Sequence, residues 1–315
     1  MVCSGKFDVL TPLVQCLNGS GDELHLALLA LNNLSIPTEN KRVMSLGPSS
    51  KDIIGGLCKT IAKNIHNSYL ACICLMNISF FEASRQIMLQ HSPSPDDREI
   101  PPLENPNSLL RVLEKLLLAY SLKEELATAD EQVRSADEQV RWACNLLKNL
   151  SKASKEAATL IGQTEIPKCV VEYIRDSAPS VSSWKNNHLG DGCLFIVLHL
   201  AEWPESRDAL TRADAIGVIK PILVTARGDI QGLIATMACA FLDGDDAHTW
   251  CTSPIGRKTA EEAVAELVTN MQTKKGKDGQ YKYEDFNLNM ATKAYDIIMP
   301  STNIAGREVA HVQDL

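Results

Sequence analysis

Leu26-Ala27-Leu28-Leu29-Ala30-Leu31-Asn32-Asn33-Leu34-Ser35 is an apolar run that closes on Asn-Leu-Ser. A close relative recurs at residues 69–79 (YLACICLMNIS) and at 141–151 (RWACNLLKNLS), and a worn copy lies at 192–201 (GCLFIVLHLA). Aligned on the polar residue near each end (Asn33, Asn77, Asn149 and His199), the copies agree position by position. Six residues before this anchor stand Ala27, Ala71, Ala143 and Cys193. Two before it stand Leu31, Leu75, Leu147 and Val197, and one after it Leu34, Ile78, Leu150 and Leu200. Two after it come Ser35, Ser79, Ser151 and Ala201. Positions −6, −2 and +1 are separated by four and then three residues, which places them on one face of a helix. The small residue at −6 lets a neighbouring helix approach closely. A fifth copy anchored on Phe241 puts Ala235, Cys239 and Leu242 at the same places.

The anchors are 44, 72, 50 and 42 residues apart. Two of these spacings fall on the roughly 40–47-residue period of two- and three-helix repeats, and the other two require insertions. Between anchors, one period reads as a short helix, a medium helix and a long anchor helix. Residues 38–46 (TENKRVMSL) are the first short helix, with Thr38 as a candidate N-cap, and 52–64 the medium helix after it. The second period carries 91–107 (HSPSPDDREIPPLENPN), whose five prolines mark a surface loop. It also carries the hexapeptide ADEQVR twice, at 129–134 and 136–141. Only the second hexapeptide runs smoothly into the third anchor helix. The first reads as a tandem duplication, accommodated as extra helical turns or as a looped extension. A loop at 176–187 lengthens the next spacing. The expected organisation is a repeat array over 1–242 with insertions at 91–107, 123–136 and 176–187. An irregular helical cap over 243–299 and a flexible tail over 300–315 complete it.

Composition narrows the function classes. Hydrophobic residues make up 45% of the 315 and aromatics only 5%, so the apolar load falls on Leu, Ala, Ile and Val, which suit helices. The formal net charge of −8 disfavours nucleic acid and favours a basic protein segment as partner. The ten cysteines include no CxxC pair, and most lie within apolar helical runs. That pattern reads as reduced core thiols in a cytosolic or nuclear protein. Residues 1–10 (MVCSGKFDVL) hold no signal-peptide apolar region, and no run is long enough to span a bilayer.

Asn-Leu-Ser ending an Ala/Leu-rich helix, followed by Glu39-Asn40-Lys41-Arg42 and a second helix, resembles armadillo repeats over roughly residues 6–242. The resemblance implies an all-α, right-handed α-α superhelix of about five repeats, each burying its apolar face against its neighbours. In peptide-binding members the anchor Asn lines a concave groove and pairs through its amide with the backbone of an extended peptide. Carried to this chain, that ladder is Asn33, Asn77 and Asn149, with His199 departing from it. Transport adaptors of the family carry Trp four residues before the anchor, where this chain has Leu29, Ile73, Asn145 and Phe195. This departure argues against a nuclear import adaptor. Trp142, at −7 beside Asn145, joins the candidate partner-binding set. A capping role for the anchor Asn within the stack competes with the ladder, and packing competes with recognition for Trp142, Trp184, Trp203 and Trp250.

The implied function is a non-enzymatic protein-interaction scaffold that binds a basic or extended segment, with no cofactor and no nucleic acid. Two rivals are a chaperone cofactor or regulatory factor clasping a folded domain, and the substrate-recognition part of a ubiquitin ligase with catalysis elsewhere. Residues 274–285 (KKGKDGQYKYED) resemble the end of a calcium loop but put Lys274 and Gly276 where carboxylates are needed. Asp243, Asp245, Asp246 and His248 read as a solvated acidic turn. No paired Cys/His spacing, phosphate-binding glycine loop or GxSxG elbow occurs.

Overall fold

The computed structural model describes residues 9–63, 65–90, 100–121, 130–177, 188–225 and 230–243, and these contain fourteen α-helices and no strand. The fold is an armadillo-type helical repeat solenoid. The chain divides into two compact units, residues 1–213 and 214–315. The first unit opens with α1 (Leu10–Cys16) and the anchor helix α2 (Gly21–Leu34). Three periods of short, medium and anchor helix follow in order. They are α3 (Thr38–Leu46), α4 (Ser50–Lys63) and α5 (Ile65–Ser79); then α6 (Glu82–Gln90), α7 (Leu109–Ser121) and α8 (Asp130–Ser151); then α9 (Lys155–Gly162), α10 (Ile166–Ser177) and α11 (His188–Ala201). Helix α12 (Pro204–Arg212) closes the unit. The second unit holds α13 (Ala215–Thr225) and α14 (Ile230–Asp243).

Local chemistry sets several boundaries. Ser154 caps α9, its hydroxyl accepting from the backbone N–H of Ala157 at 3.2 Å. Glu156 in the same first turn has its carboxyl held below the usual range by backbone N–H and by Ser154. Pro204 stands at the start of α12, where its missing N–H costs nothing. Thr38 is not the cap of α3: it is the first helical residue, and extended Pro37 precedes it with no side-chain cap. The duplicated hexapeptide is helical from Asp130 onward, continuous with the anchor segment, so α8 is 22 residues long where its counterparts are 14 or 15. The insertion was absorbed as added helical turns at the start of α8.

The apolar stripe forms the core. Ala71, Leu75 and Ile78 on α5, Ala143, Leu147 and Leu150 on α8, and Cys193, Val197 and Leu200 on α11 are all fully buried. Each large member removed from water stabilises the stack by roughly 1.5–3 kcal/mol. Helix α5 packs chiefly against α8 and also against α2, and α8 packs in turn against α11. The medium helices are tied as well. The Tyr173 hydroxyl donates to the Leu117 carbonyl at 2.6 Å, and its ring meets Tyr120 edge-on with centroids 5.5 Å apart. Buried Glu114 pairs with Arg111 and accepts from the Glu165 N–H at 2.8 Å. Within the proline-rich insertion, Arg111 Nε donates to the Leu103 carbonyl at 2.7 Å and pins that stretch to α7.

Candidate functional site: the anchor-helix faces

The first three anchor helices of the first unit, α2, α5 and α8, end in one device, repeated; α11 has Ala201 at that place. Each buried serine at +2 donates its hydroxyl proton to the carbonyl three residues back: Ser35 to Asn32 at 2.6 Å, Ser79 to Met76 at 2.7 Å, Ser151 to Lys148 at 3.0 Å. A hydroxyl has a single proton, so any further hydrogen bond must be accepted by its lone pairs. The next anchor supplies that bond. Asn77 Nδ2 donates to Ser35 Oγ at 3.0 Å, and Asn149 Nδ2 donates to Ser79 Oγ at 2.8 Å. His199 Nδ1 lies 3.0 Å from Ser151 Oγ. With the Ser151 proton on the Lys148 carbonyl, as in the two preceding rungs, the Nδ1–H tautomer of His199 supplies the donor that asparagine supplies there.

The anchors differ in what they leave over. Asn77 spends both amide hydrogens, one on Ser35 and one on Asn32 Oδ1 at 3.1 Å, and keeps its carbonyl oxygen. Asn149, half-exposed, spends one hydrogen and keeps the other together with its oxygen. Asn33 is exposed and has no side-chain hydrogen bond among the described residues. His199 is buried, its ring centroid 6.1 Å from that of Phe195. The Asn145 amide turns back on its own helix, to the Arg141 carbonyl at 3.1 Å. Trp142 is half-buried, with the Arg141 guanidinium 5.1 Å over its ring. Along this face the first two repeats are apolar: Leu26 is 64% exposed, and Ile36 and Phe80, equivalent to each other at +3, are 60% and 57% exposed. The stack thus brings Asn77, Asn149 and His199 into one series of rungs. It sets Trp142 two turns and Asn145 one turn before Asn149, and leaves Asn33 as a free end.

Sequence reading missed a second set. Ser84, seven residues after its anchor, shares its one hydroxyl proton between the carbonyls of Ile78 and Phe81, and Arg85 Nε donates to the Ser79 carbonyl at 2.8 Å. Ser206 directs its one hydroxyl proton at the Leu200 carbonyl at 2.7 Å, with that of Trp203 at 3.1 Å, and Arg207 Nε donates to the Ala201 carbonyl at 2.7 Å. These side chains satisfy the carbonyls that α5 and α11 leave open at their C-termini. The signal was present as Ser-Arg at +7 and +8 after both Asn77 and His199.

Cys58, Cys72, Cys74, Cys144, Cys169, Cys193 and Cys239 are buried and in no disulfide. Burial pushes Cys58 up to about 12, and Cys74 to about 12 against a smaller lowering by the neighbouring Ser35 hydroxyl. Among the described residues no three His, Cys, Asp or Glu side chains group as a metal site, and no helix is long and apolar enough to cross a membrane. Trp184, Trp250, the calcium-loop-like stretch 274–285 and most of the acidic turn at 243–248 lie outside the described residues.

No family model matches the sequence, and no curated protein matches it. Solved structures do match. A designed armadillo repeat protein in complex with the peptide (KR)4 superposes with a TM-score of 0.55 at 15% identity, over 91% of this chain and 100% of that one. Two engineered proteins superpose with a TM-score of 0.54 each, at 15% and 13% identity, over 93% and 94% of this chain and 97% and 100% of theirs. At such identities the likeness establishes the fold alone: this chain is an armadillo-like helical repeat solenoid.

Proposed function

We propose that the chain is a non-catalytic scaffold that holds an extended protein segment along the faces of its anchor helices. The observation that carries this reading is the hydrogen-bonding capacity left after the stack is satisfied. Asn33 retains its whole amide, and Asn149 retains one N–H and its oxygen. A donor and an acceptor on one planar group match the N–H and C=O of a peptide backbone. In this reading Asn77 contributes its oxygen alone, Trp142 and Asn145 line the middle of the face, and His199 ends it. The designed armadillo protein that superposes on this chain is itself complexed with a peptide, which supports the same use of the fold. The buried free thiols fit work in a reducing compartment, cytosolic or nuclear.

The test exploits the difference between the anchors. Asn33 makes no side-chain hydrogen bond to the described chain, so Asn33→Ala should leave stability unchanged while weakening capture of native partners from cell extract. Combining it with Asn77→Ala and Asn149→Ala should abolish capture. Partners retained in full by a folded triple variant would refute the reading.

A further inference from the structure

Whole-chain charge points to a basic partner, but the anchor-helix faces carry the opposite sign. Position by position, the described residues of this face in the first two repeats are uncharged from −8 to +3, apart from His25 at −8. They present Leu26, Leu29, Ile73, Met76 and Phe80, with a single cation from α3, Lys41, 5.2 Å over the Phe80 ring. The third repeat changes character. Arg141, Lys148 and Lys152 stand at −8, −1 and +3 on α8 and just beyond its end, around Trp142 and Asn149. Lys148 lies 5.0 Å over the Phe195 ring of the next repeat. Neither Arg141 nor Lys152 has an ion-pair partner among the described residues. The nearest carboxylates along the chain are Asp137 and exposed Glu138 before Arg141 and exposed Glu156 after Lys152, and Asp191 holds the −8 place of the next repeat. Arg141 Nε is buried with no hydrogen-bond partner, an unmet donor on a side chain that is otherwise half-exposed. An unmet buried donor is costly, and a guanidinium stacked on an aromatic ring keeps its outer N–H groups in a fork suited to carboxylate.

We infer that the segment held on these faces is apolar followed by acidic, with its apolar part on α2 and α5 and its carboxylates on Arg141 and Lys152. This rests on the scaffold reading above and names the chemistry of its partner. The −8 net charge does not oppose it. That figure sums residues from the whole surface, whereas screening confines each interaction between exposed charges to roughly 8–10 Å.

Three fluorescein-labelled eight-residue probes test it on the full chain by anisotropy: four leucines followed by four glutamates, four glutamines or four lysines. The glutamate probe should bind about tenfold tighter than the glutamine probe, weaken with salt, and exceed the lysine probe. The double reversal Arg141→Glu/Lys152→Glu should invert the order while leaving the thermal melt unchanged. Tightest binding of the lysine probe, or a reversal that leaves the glutamate probe unaffected, would overturn the inference. If glutamate and glutamine probes bind equally and Asn33→Ala weakens both, the scaffold stands and the charge assignment falls. If no probe binds, the inference falls outright, and capture of native partners by wild type but not the Asn33→Ala variant still decides the scaffold separately.

Discussion

Asn149 Nδ2 donates to Ser79 Oγ at 2.8 Å across 70 residues of sequence, and Ser79 in turn hands its proton to the Met76 carbonyl. The same relation joins Asn77 to Ser35 and His199 to Ser151. Four consecutive anchor helices are thus fastened at their C-terminal turns by three such junctions. Ser79 is fully buried, so removing its partner leaves an unmet group rather than a solvated one. Ser79→Ala and Asn149→Ala should each destabilise the chain by about 1–2 kcal/mol. The double variant should lose less than the sum, with a coupling of about 1 kcal/mol in a denaturation cycle.

His199 offers a cleaner substitution. If it acts only as an Nδ1–H donor to Ser151, His199→Asn should restore the rung found in the two preceding repeats and cost under about 1 kcal/mol. His199→Leu keeps the bulk but leaves the Ser151 hydroxyl without its donor, and should cost about 1–3 kcal/mol. Urea denaturation of the two variants against wild type separates these outcomes. Equal losses would show that ring packing against Phe195, not the hydrogen bond, is what His199 contributes.

Helices α9 and α12 meet at Gly162 and Ser206. A Cβ on Gly162 would lie 2.9 Å from Ser206 Cβ and 3.1 Å from its Cα. Ordinarily Gly→Ala within a helix stabilises by about 0.5–1 kcal/mol. Here the clash is with backbone that cannot rotate away, and overpacking of this kind costs about 1–3 kcal/mol. Gly162→Ala should therefore be net destabilising and should lower the melting temperature. The Lys155–Glu205 ion pair across the same junction is exposed, and its removal should change little.

The buried thiols should be chemically silent. With Cys58 and Cys74 pushed up to about 12, only about one molecule in ten thousand carries either thiolate at pH 8. Iodoacetamide at pH 8 should label half-exposed Cys16 well before Cys58, Cys72 or Cys74, although the carboxyl of Glu23 also raises Cys16. Peptide mapping by mass spectrometry should show the three core cysteines reacting only as the chain unfolds. Raising the pH without unfolding should increase their labelling only towards pH 12.

The sequence by itself determined the repeat, because burial imposes a period. Residues that must face a neighbouring helix recur at −6, −2 and +1, and they recur with the same sizes because the space between parallel helices is the same each time. Ala71, Leu75 and Ile78 could be placed in the core from Tyr69–Ser79 alone, as could the order of short, medium and anchor helix. What only the tertiary structure decided was where each polar anchor spends its hydrogen bonds. Asn33, Asn77 and Asn149 are identical letters in one register. Yet Asn77 has both donors committed to α2, Asn149 has one committed to α5, and Asn33 has none, because a rung needs a preceding serine and the first repeat has no such neighbour in the described chain. The equivalence of His199 to asparagine was hidden for the same reason. It lies in a hydrogen bond with Ser151 48 residues away, and a relation between distant side chains leaves no trace in the periodicity of either helix.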